Sequence, residues 1–346
     1  MIAREAAQAH FVTAEAKGFV WRILELRCKV RKLTTEGVFD DCDLVELGFL
    51  PQLVLPFVRS ALKSADRAGG VRPVIVSDFF LSLYDTVVLD RKLVRAWGLI
   101  ARLLHRIDER TLKASDVAFT DTEANRAFVL DEFKLRLGEK PSVHTLYLEA
   151  DRKFWKNPAS DRELEVKTGS AGRDSAKYSR NIKDLSREQE PFIVLYFGTG
   201  LPLQGIDVIL KAMAQAEREL PEQALQFIFV GGLKKTEREM FAEIPYAVHI
   251  PWLSEEALRD VIAESDLCLA GHFREGDGKQ DRTIPGKAVI FEAMNKPMLL
   301  GDSTANHERY EADERHVFVR RGDAQALALA VEEQVRQWKN TEQPSP

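Results

Sequence analysis

The sequence predicts an α/β protein with two largely parallel sheets, the second a doubly wound Rossmann-like unit, and three observations carry that prediction. Short apolar runs of strand character alternate with amphipathic helical runs through both halves of the chain. Between the halves lies 156–190, where charged residues, Ser, Gly and Asn dominate and apolar periodicity stops. The chain has 346 residues, 45% hydrophobic and 30% charged, enough for two cores of ordinary composition. The expected division is a first domain over 1–155, a linker or insertion over 156–190 and a second domain over 191–346.

The elements of the first half follow in order. Residues 3–33 read as helical and end in a basic, partly amphipathic piece. There Lys17, Arg22, Arg27, Lys29, Arg31 and Lys32 stand against Glu25 as the nearby acid. Such a helix either meets anionic lipid headgroups, with Phe19 and Trp21 dipping in, or presents a solvated face. A strand is expected at 43–47, a loop at 48–52, a helix at 54–65 and a strand at 72–76. One or two helices should fill 85–113, followed by a strand at 117–120, a helix at 123–137 and a strand at 142–148. Ligands of parallel sheets gather at strand carboxyl ends, which draws attention to Ser77-Asp78 with Tyr84 and Asp85, and to Thr120-Asp121-Thr122. For Asp121-Thr122 the expected role is a helix N-cap. For Asp78 and Tyr84, site and loop structure are both open.

The second half is more regular. Strands are expected at 192–197, 225–230, 246–250 and 267–270, with helices at 206–219, 236–242 and 255–263, and 317–319 and 324–339 closing the domain. Two glycine clusters end strands, Gly198-Thr199-Gly200 and Gly231-Gly232. Neither fits GxGxxG, so a dehydrogenase is disfavoured. No P-loop, nucleophile elbow or zinc-protease helix is found.

The most informative stretch is 282–308, RTIPGKAVIFEAMNKPMLLGDSTANHE. Pro285 suits a helix start because it has no N–H to leave unpaired. From 288 to 294 every residue but Glu292 is apolar, so a buried helix carries a carboxylate that must have a partner. Asn295 suits the left-handed residue that ends a helix, and Pro297 stops it before a strand at 298–300. Lys287 in the first turn adds an ammonium to the unpaired N–H groups and the helix dipole, a natural anion site. Helix physics alone points to a phosphate and a polyol.

Charge and cysteines exclude other classes. A net charge of −5 leaves no electrostatic footprint for nucleic acid. Cys28, Cys42 and Cys268 are widely spaced, without a CxxC, so neither a disulfide framework nor a zinc site is expected and a reducing cytoplasm fits. No apolar run approaches the ~20 residues of a spanning helix, and the N-terminus does not read as a signal peptide.

Taken together, YFGTGLPLQGIDVILKAM, FIFVGG, IPWLSEEALRDVIAESDLCLAG and TIPGKAVIFEAMNKPMLLGDS resemble the donor half of a GT-B glycosyltransferase of the family 4 type, the glycosyl transferases group 1. More loosely, SDFFLSLYDTVVLDR, FTDTEANRAF and TLYLEADRKFW are similar to the acceptor half, in order. The resemblance implies two Rossmann-like domains facing across a cleft. It implies that Gly198, Thr199 and Gly200 approach a nucleotide diphosphate, with Gln204 and Gly205 in the same loop. Gly231, Gly232, Trp252 and Leu253 would wall the base pocket, although Trp252 could equally be core packing. Glu292 would bind the ribose hydroxyls, His272 and Phe273 would face the donor sugar, and Asp78 and Tyr84 would lie on the acceptor side.

There are three departures. Many members carry a second glutamate in an E-x7-E arrangement, and its position here is Ile284. The lysine usual in the first loop is Gln204. Members begin with a strand and a glycine-rich loop, whereas this chain is expected to start beyond them, on a helix, so that the first domain is shortened. In the subset with a PLQG or PLHG loop and an IP-x-K turn the lysine stands in, making Lys287 the candidate to stabilise the departing diphosphate, with Glu292 beside it in the catalytic set.

The expected activity is transfer of a sugar from a nucleotide-diphosphate donor to an acceptor hydroxyl, retaining and without a metal or further cofactor. The partners implied are the nucleotide sugar and a glycan or lipid-linked acceptor in bacterial surface glycan or polysaccharide biosynthesis. The expected location is cytoplasmic, at the inner face of the membrane if 17–32 touches lipid. The alternatives are a GT-B protein that binds a nucleotide sugar without turning it over, and a nucleotide-sugar epimerase, for which His272 is the one support.

Overall fold

The computed structural model describes residues 10–40, 42–48, 50–67, 72–136, 138–157 and 191–342. Its chain divides into two compact units, Met1–Asp121 with Arg126–Leu146, and Thr122–Asn125 with Tyr147–Pro346. The expected linker at 156–190 lies almost wholly outside the described residues.

The first unit is built on four parallel strands in the order β1 (Leu44–Leu47), β2 (Val74–Asp78), β3 (Val117–Thr120) and β4 (Ser142–Thr145). Helices α1 (Phe19–Thr35), α2 (Pro51–Arg67), α3 (Leu99–Ala114) and α4 (Glu123–Glu132) alternate with them, and a π-helical turn spans Asp85–Asp90. One core joins Val30 and Phe39 to Leu55, Val58, Leu62 and Ile75; another joins Phe79, Leu112, Ala118, Val129 and Phe133.

Several boundaries differ from those expected. The first helix begins at Phe19, not near residue 3, since Gly18 takes a φ of 93° that stops it. Residues 10–16 lack regular structure and turn back along α1: the Glu15 and Ala16 amides donate to Glu25, and Lys29 donates to the Thr13 carbonyl. The part of that expectation on residues 3–9 lies outside the described residues. Strand β2 runs on to Asp78, which makes Ser77 and Asp78 strand residues, not a loop. Helix α4 stops at Glu132 because the chain reverses through Lys134 at φ 52°. Thr122 does cap α4, its hydroxyl accepting the Asn125 amide at 3.0 Å.

The second unit carries six parallel strands in the order β10-β9-β8-β5-β6-β7. In chain order they are β5 (Phe192–Phe197), β6 (Leu225–Val230), β7 (Ala247–Ile250), β8 (Leu267–Gly271), β9 (Met298–Gly301) and β10 (His316–Val319). The helices are α5 (Ile206–Glu219), α6 (Lys235–Phe241), α7 (Glu255–Glu264), α8 (Lys279–Arg282), α9 (Gly286–Ala293), α10 (Thr304–His307) and α11 (Ala324–Glu342). Both faces of the sheet are covered, which is why its strands are apolar without alternation. Val194 and Tyr196 pack on one side with Ile209, Met213 and Leu327, while Leu195 packs on the other with Phe291, Met294 and Ile262. The order reverses at β5 and β8, from which the chain runs outward in both directions, so this half holds the topological switch point where such sheets take ligands.

Candidate functional site

At the carboxyl end of β5 the chain passes through Gly198, whose φ of 151° and close neighbours exclude a side chain. An added Cβ there would meet Lys287 Nζ, and one on Gly231 would overlap the Gly198 carbonyl oxygen. The two glycine turns are thus pressed together, backbone on backbone. A short 3₁₀ turn, Pro202–Gln204, follows and ends at Gly205 in the left-handed conformation, which opens α5. A Cβ on Gly205 would come 2.7 Å from the Arg274 amide nitrogen, so the loop after β8 rests on this turn.

Gln204 is the knot of the site. Its backbone carbonyl accepts the Phe273 amide, and its side-chain Oε1 accepts Lys287 Nζ at 2.7 Å and faces the Tyr196 hydroxyl at 3.5 Å. Lys287, in the first turn of α9, is buried, and its ammonium lies 3.9 Å from the centre of the Tyr196 ring. Among the described residues no carboxylate pairs with it. Burial holds its pKa well below the ordinary lysine value, because a desolvated cation with only dipoles and a π-face around it lacks a counter-ion. An anion at the start of α9 would supply one.

His272 shares this corner. It is buried, and that burial, followed by the Lys287 charge, brings its pKa down to about 3, so its imidazole is neutral. The imidazole hydrogen-bonds to the Gln280 backbone, and Nδ1 has no partner among the described residues. Phe273 is buried, in the same core cluster as Tyr196.

Glu292 has the partner that its place in an apolar helix requires. Arg309 Nε and a terminal nitrogen both reach its Oε2 at 2.9 Å, the Tyr310 hydroxyl lies 3.4 Å away, and Arg152 stands 3.8 Å from Oε1. Lys287 and Glu292 are therefore held by separate sets of partners on one helix. Ile284, at the position of the second glutamate of the E-x7-E arrangement, is packed into the core with Phe291 and Met294.

Of the base-wall residues, Trp252 is 76% exposed, which rules out the core-packing role for it, whereas Leu253 is half-buried against the core. Asp78 and Tyr84 belong to the first unit. Burial raises the pKa of both; Asp78 caps the turn at the Phe80 amide, and Tyr84 packs edge-on against His105. The sequence reading missed Tyr196 beneath Lys287 and Arg309 on Glu292. Tyr196 was detectable as the one hydroxyl-bearing side chain in an otherwise apolar strand; nothing near Arg309 marks its partner. Among the described residues, no group of His, Cys, Asp and Glu could hold a metal ion.

Residues 191–337 match the family model described as Glycosyl transferases group 1. The second unit is a group 1 glycosyltransferase domain. Solved structures similar to the whole chain have the GT-B fold, as this chain does. HepE of Anabaena, solved in complex with UDP-glucose, is 14% identical, with 90% of this chain and 73% of that chain covered at a TM-score of 0.59. Sucrose-phosphate synthase of Thermosynechococcus elongatus is 15% identical over 91% and 69%, with a TM-score of 0.57. The trehalose-phosphate synthase of Burkholderia xenovorans, in complex with glucose-6-phosphate, is 11% identical over 92% and 74%, at 0.55. At these identities the likeness is one of fold. No curated protein sequence matches the chain.

Proposed function

We propose that this group 1 glycosyltransferase moves a sugar from a nucleotide-diphosphate donor to a hydroxyl of a glycan or lipid-linked acceptor in surface glycan synthesis, with retention and without a metal. The carrying observation is Lys287, a buried ammonium with no carboxylate partner among the described residues, next to Gly198 at a helix N-terminus. The diphosphate takes the place of its missing counter-ion. In the reaction the bond between the anomeric carbon and the phosphate oxygen breaks, its electron pair going to the diphosphate. The acceptor oxygen bonds to that carbon on the face the phosphate leaves, and its proton passes to a phosphate oxygen. Lys287, the first-turn amides of α9 and the Gly198–Gly200 backbone stabilise the charge that develops. Glu292, steadied by Arg309, takes the ribose hydroxyls through its less engaged Oε1. HepE of Anabaena and its complex with UDP-glucose support the donor class.

The test is single-turnover release of nucleoside diphosphate from UDP- and GDP-sugars with cell extract as acceptor source. Release that depends on extract is expected; nucleotide binding with no release would overturn transfer. Ile284 in the core, at the position of the second glutamate of the E-x7-E arrangement, favours one second reading: a protein that holds the nucleotide sugar without turning it over.

A further inference from the structure

From residue 91 to residue 107 the chain contains Arg91, Lys92, Arg95, Arg102 and Arg106 and not one Asp or Glu. The same segment leaves its largest apolar side chains in water. Leu93, Trp97, Leu99, Ile100 and Leu103 are 56–81% exposed, although α3, which carries the last three, is packed on its other side through Ala101 and Leu112. All five cations are exposed as well. Arg95 folds over the Trp97 ring, its guanidinium carbon 5.3 Å from the centroid, so charge and aromatic surface are interleaved. Beside them an open depression of about 440 Å³ is lined by Val88, Leu89, Leu93 and Val94 together with Lys92 and Arg95. Asp90, Asp108 and Glu109 border this surface, and Glu109 lies close enough to Arg106 for that charge to lower its pKa, after the larger effect of Lys113. Asp108 is buried and accepts from Gln52, Ser82 and the Leu83 and Tyr84 amides, and Glu109 is engaged by Lys113.

We propose that 91–106 is a docking surface for an anionic lipid bilayer. A water-exposed Trp and four exposed aliphatic side chains ringed by arginine and lysine have the composition of an interfacial segment. In such a segment the apolar groups enter the headgroup and acyl boundary while the cations meet lipid phosphates. The fit is one of charge as well as polarity, since a chain of net charge −5 gathers an acid-free cationic run at one place. A protein partner would need acids set among apolar groups at matching spacing; a bilayer of anionic lipid offers both everywhere. The segment fits better than α1, whose cations are partly spent within the chain. Lys29 is paired with Glu25 and bonded to the Thr13 carbonyl, Arg22 bonds to the Ala16 carbonyl and Arg27 lies over Phe57.

The proposal does not depend on the transferase reading and is tested apart from it. Full-length protein is sedimented with vesicles of phosphatidylglycerol and phosphatidylcholine, or of phosphatidylcholine alone, at low and high salt. The expected result is binding to the anionic vesicles at least tenfold tighter than to the neutral ones, weakened by salt. Both Leu99→Glu/Ile100→Glu and Arg91→Glu/Lys92→Glu/Arg95→Glu should lower it at least tenfold, and Val20→Glu/Trp21→Glu on α1 should lower it less than threefold. Circular dichroism and nucleotide binding like those of the unaltered chain show that the variants fold. Equal binding by the 91–100 variants, loss through the α1 variant alone, or no preference for anionic vesicles would overturn the proposal. So would a stable dimer in solution that Leu99→Glu/Ile100→Glu dissociates, since a second copy would then cover the patch.

Discussion

The Lys287 ammonium donates to Gln204 Oε1 at 2.7 Å across 83 residues of sequence, and this bond joins the start of α9 to the loop after β5. Replacing Gln204 by Met leaves the buried ammonium with the Tyr196 ring alone. The expected cost is about 1–3 kcal/mol in urea unfolding, the range for a buried donor left without its acceptor. Gln204→Glu is expected to keep the fold, because a carboxylate partners the lysine, and to weaken binding of UDP or GDP at least tenfold by occupying the anion's place. Unchanged nucleotide affinity in Gln204→Glu would refute Lys287 as the anion site.

Nucleoside diphosphate binding should depend on pH through Lys287. Its pKa lies well below the ordinary value in the free protein because of burial, and a bound diphosphate favours the protonated form. Affinity is therefore greatest at low pH within the folded range and falls as pH rises through the free-state pKa. Titration calorimetry in buffers of different ionisation heat should record proton uptake on that limb, and Lys287→Met should abolish it.

Acid stability is expected to carry the mark of His272. Burial, then the Lys287 charge, set its folded pKa at about 3, below the 6.5 of the unfolded chain. Between these values the unfolded state binds a proton that the folded state does not. Stability from this group is thus complete above pH 6.5 and lost as pH falls toward 3, with a slope approaching about 1.4 kcal/mol per pH unit. Urea midpoints for His272→Leu should fall less steeply between pH 6 and pH 5 than those of the unaltered protein.

Gly231→Ala tests the pressed glycine turns. A Cβ there overlaps the Gly198 carbonyl oxygen, and the backbone has a φ of 143° that side chains rarely adopt. A loss of about 2–4 kcal/mol is expected from strain and displaced backbone. Gly232→Ala, where an added Cβ meets nothing within 4 Å, should cost less than about 1 kcal/mol. Equal losses would contradict the packing of Gly231 on Gly198.

What the sequence disclosed follows from range. Strands such as β5, β6 and β3 are legible because apolar runs bounded by Gly or polar residues are local signals, and all three fall where expected. Asn295 at φ 56° and the N-cap of Thr122 are local too. The need for a partner at Glu292 was legible, but Arg309 as that partner was not, since β9 intervenes and arginine is common on surfaces. Gln204 read as a missing charge, and only the fold reveals it as the acceptor that holds Lys287. The fold-back of 10–16 onto α1 is not legible, because a helical composition does not show that Gly18 takes a positive φ of 93°. Helix α3 displays its apolar stripe in the sequence, yet only coordinates tell that Leu99, Ile100 and Leu103 remain uncovered.

The central claim is that Lys287 holds the leaving diphosphate during turnover. The most direct measurement is the single-turnover rate of nucleoside diphosphate release at saturating donor, for the unaltered chain and for Lys287→Met. A fall of about 10²–10³, as for loss of one preorganised stabiliser of developing charge, is the predicted result. Equal rates in two equally folded proteins would contradict it.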